Sequence, residues 1–410
     1  MVKKVLSLFL FSIIFFSHSY AQQFFNTKGK NIIGPDGNVF YMKGTNLGNW
    51  LVPEGYMFQF KDASSPRLIN QTLSELMGPD ATRDFWKKFL DQYITAEDIH
   101  YLKSIGMNSI RIPFNYRMFT SEYYMGSSDS TRGFLYLDRL IKWCKKEKLY
   151  VILDMHCAPG GQTGDNIDDG YGYPFLFENE ESQALCIAIW KRIATHYKNE
   201  SVIIGYDLLN EPIAHYFNKE KLNPLLEPLY KKITKAIRVV DVNHILFLGG
   251  AQWNSNFQPF GAPFDKKLVY TFHKYWTEPT QQVIMEYLDF SNRYNVPMYC
   301  GETGENTDEW VETFRKMLDS NNIGWHFWPY KKLNNTKGII SFNNPGYYDS
   351  VIVYANNAKR NFEDIRKMRP ANTDEIKKSL DRFLENCRFK NCYQNVGYIK
   401  ALGFKPTLVN

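Results

Sequence analysis

Two glutamates carry the clearest chemistry in this 410-residue sequence. Glu211 stands in Leu208-Leu209-Asn210-Glu211-Pro212, where the apolar run Ile203–Leu209 ends. Glu302 follows Gly301 at the end of a second apolar run, Pro297–Gly301. A carboxylate at the mouth of a buried strand carries a desolvation cost, so two such residues imply a use. Further polar groups end neighbouring apolar runs: Arg111, Asp154 and His156, His273 and Tyr275, His326 and Trp328. Two carboxylates without a His/Cys cluster at metal-ligand spacing point to glycoside cleavage, in which one carboxyl protonates the leaving oxygen while the other faces the anomeric carbon. No metal and no cofactor are expected. Repulsion from an ionised Glu302 would hold Glu211 protonated as general acid/base, and Arg111 beside Glu302 would keep the nucleophile ionised. Each group also has a structural reading: Arg111 could pair with a buried carboxylate, and either histidine could be a satisfied core residue.

These groups act together only if the chain brings them to one pocket. Eight short apolar runs read as strands: Tyr41–Leu47, Asn108–Pro113, Tyr150–His156, Ile203–Leu209, His244–Gly249, Leu268–His273, Pro297–Gly301 and Gly324–Trp328. Between most of them lie amphipathic helical patterns, at Leu135–Lys146, Ser182–Tyr197, Leu225–Val240, Gln281–Tyr294 and Asp308–Ser320. Another follows the capping-box sequence Thr95-Ala96-Glu97-Asp98 and ends at Gly106. Strands alternating with helices imply a parallel sheet. Eight units predict closure into an α/β fold, a (β/α)8 TIM barrel, whose functional groups gather at the C-terminal ends of the strands. An open doubly wound sheet would usually carry a Gly-rich phosphate loop after an early strand, and none is present. Phe24–Phe40 reads as an N-terminal β-hairpin turning at Pro35-Asp36-Gly37. After residue 330 the expectation is a loop, a helix near Thr373–Asn386 and a loose tail.

The chain opens as an export signal: Lys3 and Lys4, the apolar run Val5–Phe16, then Ser19 and Ala21 at cleavage-site spacing. Residues 1–21 are expected to be removed, leaving 22–410 as one catalytic barrel domain with a C-terminal helix and tail, extracellular or periplasmic. The apolar run is shorter than the roughly 20 residues of a spanning helix, and no later segment is long and apolar enough. The formal charge of +6 is weak for this length, and no Lys/Arg block stands out. Nucleic acid is therefore excluded as a partner, and a monomer is expected. Cys144, Cys157, Cys186 and Cys300 lie in apolar patterns and read as buried thiols. Cys387 and Cys392 flank a polar stretch where export would permit a bridge. Aromatic residues make up 16% of the chain, and several stand in loops where flat rings can stack on sugars. Asn70, Asn199 and Asn334 fit the glycosylation acceptor pattern.

The segments around the two glutamates resemble glycoside hydrolase family 5. Ile204-Gly205-Tyr206-Asp207-Leu208-Leu209-Asn210-Glu211-Pro212 is similar to the family's acid/base signature, and Tyr299-Cys300-Gly301-Glu302-Thr303-Gly304 to its nucleophile segment. The resemblance runs from about Asn26 to Arg382. It implies roles for matching residues: Arg111 ordering the nucleophile, His156 a sugar-binding histidine, Asn210 on the sugar 2-hydroxyl, His273 and Tyr275 the His-x-Tyr pair, and Trp328 the floor of the sugar site. Lys43–Val52 with Glu54, and His156–Gln162, are similar to the branch with exo-β-1,3-glucanases and β-glucosidases, which makes Glu54 a candidate contact to a terminal glucose. The sequence departs from that branch at Thr163–Tyr173, which carries Asp165, Asp168 and Asp169, and after the fifth strand, where Trp253, Asn254 and Phe257 stand. The resemblance implies retaining hydrolysis of β-glucosidic bonds in β-glucans or related oligosaccharides. Trp253 and Trp276 are candidates for an acceptor subsite. A β-mannanase, a transglycosylase and a non-catalytic carbohydrate-binding protein remain as alternatives, as does the choice between exo and endo action.

Overall fold

The computed structural model describes residues 24–357, 359 and 361–407; the export signal at 1–21 lies outside them. The eight apolar runs form eight parallel strands: β1 (Lys43–Asn46), β2 (Ser109–Asn115), β3 (Tyr150–Cys157), β4 (Ile203–Asp207), β5 (Ile245–Gly249), β6 (Leu268–Tyr275), β7 (Met298–Gly304) and β8 (Gly324–Phe327). They pair in sequence order, and β8 closes on β1. The result is the (β/α)8 barrel that the alternation predicts.

Strand alternation sends side chains to two cores. In β3, Val151, Leu153 and Met155 join the large apolar layer under the helices, whereas Ile152 points into the barrel. The interior cluster contains Ile152, Ile204, Ile245, Phe247, Val269 and Tyr299, closed from below by Phe25 and Ile32. Phe25 meets Phe40 and Tyr150 edge-on, at centroid distances of 5.0 and 4.7 Å. The N-terminal hairpin is thus a plug in the barrel floor. Its paired strands, Asn26–Lys28 and Asn31–Ile33, reverse at Gly29, which takes the left-handed φ of 57° that glycine tolerates. The Pro35-Asp36-Gly37 turn expected to join them instead makes a second reversal, with one bridge between Ile33 and Val39.

Six helices pack outside the barrel: α1 (Ala96–Ile105), α2 (Arg132–Glu147), α3 (Glu180–Tyr197), α4 (Lys219–Arg238), α5 (Met285–Tyr294) and α6 (Asp308–Ser320). The Thr95/Asp98 capping box is formed, and Gly106 ends α1. Helix α4 begins six residues before the apolar stripe that announces it. Pro224 and Pro228 lie inside it, and residues without a backbone N–H argue against helix in a bare sequence. No long helix joins β5 to β6, only a tight turn at Ala251–Asn254. Two helices without a strand between them, Pro66–Met77 and Pro79–Gln92, fill the long β1–β2 connection; a proline at the start of each is the signal in the sequence.

The region beyond β8 corrects the expected loop and loose tail. Helix α7 (Thr373–Asn386) has the expected bounds. Around it lie a small sheet of Lys331–Leu333, Ile340–Phe342 and Tyr393–Gln394, and the helices Tyr348–Ala355, Phe362–Met368 and Val396–Ala401. Apolar burial orders this part: Tyr398, Ile399, Ala401 and Leu402 belong to the main core, and Phe383 of α7 stacks on Phe58 at 5.2 Å. Cys387 and Cys392 are free thiols, like the other four cysteines. Among the described residues no helix is long and apolar enough to cross a membrane.

A fully buried ion pair ties this extension to the barrel. Lys331 Nζ lies 2.8 Å from Asp98 Oδ1 and donates to the carbonyls of Tyr93 and Cys387 at 2.6 and 2.9 Å. Removing one partner of such a pair strands a buried charge. Lys331→Met is expected to lower unfolding stability by about 3 kcal/mol, and adding Asp98→Asn should recover part of that loss. Denaturant titration of the single and double variants checks this; equal or additive losses would contradict it.

Candidate active site

Irregularities in the strands aim the functional groups. The β3–β4 register shifts so that Val151 faces Ile203 and Ile152 faces Gly205, with Ile204 as the extra residue. Ile204 and Asp207 can then both point into the barrel. A second shift in β6–β7 pairs Cys300 with Phe272 and Glu302 with His273, leaving Gly301 unmatched. A third lies between Phe114 and Asn115 of β2. Bulges of this kind re-aim side chains beside active sites. Strand β2 runs on to Asn115, so Arg111 sits inside the barrel and not at the strand end expected from sequence.

Arg111 is fully buried and engages all three of its guanidinium nitrogens. Nε donates to Asp207 Oδ2 at 2.9 Å, and Nη1 to Glu302 Oε1 at 2.5 Å and Asn46 Oδ1 at 3.1 Å. Nη2 donates to Asn210 Oδ1 at 2.9 Å and lies 3.0 Å from Asp154 Oδ1. One cation therefore serves three carboxylates. Burial pushes Asp154 and Asp207 each up to about 7, against the pull of Arg111. The structural reading of Arg111, pairing with buried carboxylates, is what the geometry shows, and one of those carboxylates is Glu302.

Glu302 receives a second hydrogen bond from the Tyr275 hydroxyl, 3.0 Å to Oε2. His273 stands between the two glutamates: Nδ1 is 2.8 Å from Glu211 Oε1 and 3.7 Å from Glu302 Oε2. The donor atoms of Glu211, His273 and Glu302 all lie within 4.8 Å of one another. Those of Asp154, His156 and Glu302 form a similar group. Either set has the composition of a metal site, but these atoms engage each other, Arg111 and Tyr275. His156 Nδ1 is 2.8 Å from Asp154 Oδ2, and its ring lies flat against Trp328, with centroids 5.6 Å apart and planes at 9°. Burial pushes His156 down to about 3 and lowers His273 well below the ordinary imidazole value.

A cavity of about 600 Å³ opens over these groups. Its wall includes Glu211, Glu302, His156, His273, Tyr275, Trp328, Glu54 and Trp253 from the sequence reading, whereas Arg111 and Asn210 lie beneath it as supports. Glu54 is only 5% exposed, unlike the solvated loop residue that its position allowed, and its Oε1 has no protein partner. Trp328 Nε1 donates to the Tyr56 hydroxyl at 2.6 Å. Gly48 permits this arrangement, because a Cβ there would fall 2.6 Å from the Trp328 ring. Trp253 packs edge-on against His215 at 4.7 Å, and Trp276, 72% exposed, stands at the mouth beside Tyr275. His326, counted among the strand-end groups, is instead held inside the barrel by a hydrogen bond to the Tyr299 hydroxyl. Sequence reasoning missed Tyr56, Ile167, Glu305 and Lys332. Lys332 pairs with Glu305 and lies over the Tyr56 ring. Glu305, three residues past Glu302 on the same strand end, was the one with a positional signal. In the 163–173 loop, Asp165 reaches the cavity. Asp168 and Asp169 serve the loop itself, accepting from the backbone N–H groups of Thr163, Gly164 and Gly170 and from Arg117.

Burial raises the Glu211 carboxyl well above the usual range, and the neighbouring Glu302 adds to it. Glu302 is also raised by burial, but Arg111 and His156 pull it back. The two carboxyls thus separate, with Glu211 the better proton holder. Below about pH 4.3, the unfolded glutamate value, folded and unfolded chains both carry the Glu211 proton. As pH rises toward the folded value, the unfolded chain releases its proton first and folded stability is lost. Glu211→Gln removes that loss. The variant is expected to match the parent's melting temperature near ~pH 4 and to exceed it by about 1–3 °C near ~pH 7.5. Calorimetry at both pH values checks this, and an unchanged difference between them would contradict it.

The family model Cellulase (glycosyl hydrolase family 5) matches residues 70–334. A β-xylosidase of Phanerodontia chrysosporium is 33% identical over 255 residues, covering 62% of this chain and 52% of that protein. Endoglucanase C of Acetivibrio thermocellus is 28% identical over 315 residues, covering 61% and 88%. A glucan 1,3-β-glucosidase of Candida oleophila is 24% identical over 266 residues, covering 60% and 61%. The chain therefore spans only about half to three-fifths of the length of two of these relatives. The match over residues 70–334, which takes in both glutamates, shows that the chain belongs to glycosyl hydrolase family 5, the cellulase family.

Proposed function

We propose that this chain hydrolyses β-glucosidic bonds in β-glucans or their oligosaccharides with retention of configuration. Glu302 attacks the anomeric carbon, and Glu211 first protonates the leaving oxygen and then draws a proton from water. The observation that carries this reading is the approach of the two carboxylates, whose oxygens reach within 4.8 Å of each other around His273. Retaining enzymes hold the pair about 5–5.5 Å apart, whereas inverting ones leave roughly 6.5–9.5 Å for a water. The electrostatics divide the roles in the same sense. Glu302 has Arg111 and the Tyr275 hydroxyl on its two oxygens, which favour the ionised nucleophile. Glu211, with only His273 within reach and Glu302 nearby, favours the proton.

Trp328 and His156 offer a stacked face to a sugar ring, and Asn210, held by Arg111, is placed for the 2-hydroxyl. Glu54, beside Glu302 and Glu305 and with one oxygen unpartnered, supports a terminal-sugar contact and hence exo action. A β-xyloside is the second reading, favoured by the relative at 33% identity, which is a β-xylosidase. In the cell, residues 1–21 would be removed on export and 22–410 would act outside the cytoplasm as one catalytic unit. N-terminal sequencing of exported protein is expected to begin at Gln22.

Kinetics on a panel of aryl β-glucosides, aryl β-xylosides and β-1,3-, β-1,4- and mannan polymers test the substrate class. Proton NMR of the first product should show the β-anomer; an initial α-anomer would overturn retention. Glu302→Ala is expected to lose activity and to regain it with azide, giving an α-glycosyl azide. Glu211→Ala should slow substrates with poor leaving groups by about 10²–10⁴ and activated aryl glycosides far less. The alkaline limb of the pH–rate profile should disappear in Glu211→Gln. Unchanged rates in both glutamate variants would refute the assignment.

A further inference from the structure

The segment after β5, one of the two places where the sequence departs from the exo-β-1,3-glucanase-like branch it resembles, contains an unusual backbone. Gln252, Trp253 and Asn254 all have left-handed torsions, with φ of 50°, 58° and 57°. Such a run is disfavoured for residues carrying a Cβ and persists only where its surroundings fix it. Here they do. Ala251 and Asn256 exchange backbone hydrogen bonds of 3.0 and 2.9 Å, and the Trp253 N–H donates to the carbonyl of Pro212, next to Glu211, at 3.3 Å. The Gln252 amide pairs with Asn223 of α4 through two hydrogen bonds, of 2.9 and 3.2 Å.

The product of this turn is the aim of one side chain. Asn254 is fully buried, and its Nδ2 lies 3.1 Å from His273 Nε2. Gly301 leaves room for the contact: a Cβ there would stand 2.8 Å from the same ring nitrogen. On the opposite edge, His273 Nδ1 faces Glu211 at 2.8 Å and Glu302 at 3.7 Å. We propose that Asn254 is a positioning residue for the general acid/base: its amide N–H donates to His273 Nε2 and so keeps the single ring proton on Nδ1, aimed at Glu211. This rests on the roles given above to Glu211 and Glu302.

The charged and titratable groups facing the ring are Glu211, Glu302, Arg111 and His156. Burial, Arg111 and His156 keep the ring neutral, so it carries one proton, and the group at Nε2 decides where that proton sits. An amide N–H at Nε2 needs a bare nitrogen, which leaves the proton on Nδ1. When Glu211 gives its proton to the leaving oxygen, the new carboxylate meets an N–H donor already in place. His273 gives up no proton in the step; it stabilises the anion and returns to the same state when Glu211 takes a proton from water.

Two measurements test this. Long-range proton–nitrogen NMR of ¹⁵N-histidine-labelled protein, with the His273 signals identified by their loss in His273→Gln, is expected to show a protonated Nδ1 and a bare Nε2 at neutral pH. A proton on Nε2, alone or in addition, would overturn the proposal. Because no substrate is present, this result does not depend on the catalytic roles. Asn254→Asp replaces the donor by an acceptor of the same shape. Its alkaline limb, measured as kcat/KM on an alkyl β-glycoside with a poor leaving group, is expected to move by about half a pH unit or more with KM little changed. An unmoved limb in a folded, active variant would also overturn the proposal. Should Glu211→Gln retain the parent's alkaline limb while the wild-type ring shows the expected tautomer, the catalytic assignment fails and the positioning contact stands.

Discussion

The guanidinium of Arg111 is the interaction on which the rest of the site depends. It lies at the centre of the barrel, without access to water, and contacts Asp154, Asp207, Glu302, Asn210 and Asn46 from four other strands or strand ends. Burying so large an ion is unfavourable unless every donor is engaged. Four of its N–H groups hydrogen-bond and the guanidinium also pairs with Asp154 at 3.0 Å, so each partner is held in its own orientation. Asp154 in turn holds His156, and His156 lies flat on Trp328. A chain of contacts runs from the barrel interior to the wall of the cavity without passing through a flexible side chain. Three carboxylates around one cation also leave negative charge in excess. Burial raises the proton affinity of the acids around this centre, and for Glu211 the neighbouring Glu302 adds to it. Arg111 hydrogen-bonds Glu302 directly but acts on Glu211 only across space, so the same guanidinium pulls unequally on two chemically identical side chains.

Local irregularity places these groups where regular strands would not. The register shifts at Ile204 and Gly301, the left-handed φ of 47° at Glu211 and the left-handed turn of residues 252–254 all lie within the strand ends that surround the cavity. Each is less favourable than the regular alternative. The apolar layer beneath α1–α6 and the packed interior offset that cost at a distance. The missing helix between β5 and β6 belongs to the same account, since a regular α-helix there could not turn a residue back onto His273.

Most of the barrel was legible in the sequence because its signals are local. Apolar runs of strand length, Gly106 after α1 and the Thr95/Asp98 capping box each report on a few neighbouring residues. The two glutamates were legible because they end such runs. What sequence reasoning missed depends on distant partners. Nothing near Tyr56 announces that its hydroxyl meets Trp328, 272 residues away, nor that Lys332 pairs with Glu305. Asn254 was visible as a residue in a divergent loop, but its inward aim follows from backbone torsions that no spacing encodes. Pro224 inside α4 hid its first turns, and the ordered C-terminal region was misread because its apolar residues are spread over short elements that acquire a face only against the barrel.

The hairpin that plugs the barrel floor has a further meaning for how the molecule meets a large substrate. Phe25 and Ile32 fill the end of the barrel opposite the strand ends that carry Glu211 and Glu302. The described chain therefore starts on the far side of the molecule from the cavity mouth. Phe25 and the cavity thus stand at opposite ends of the barrel. A handle joined at the Phe25 end for immobilisation leaves the route past Trp253 and Trp276 open.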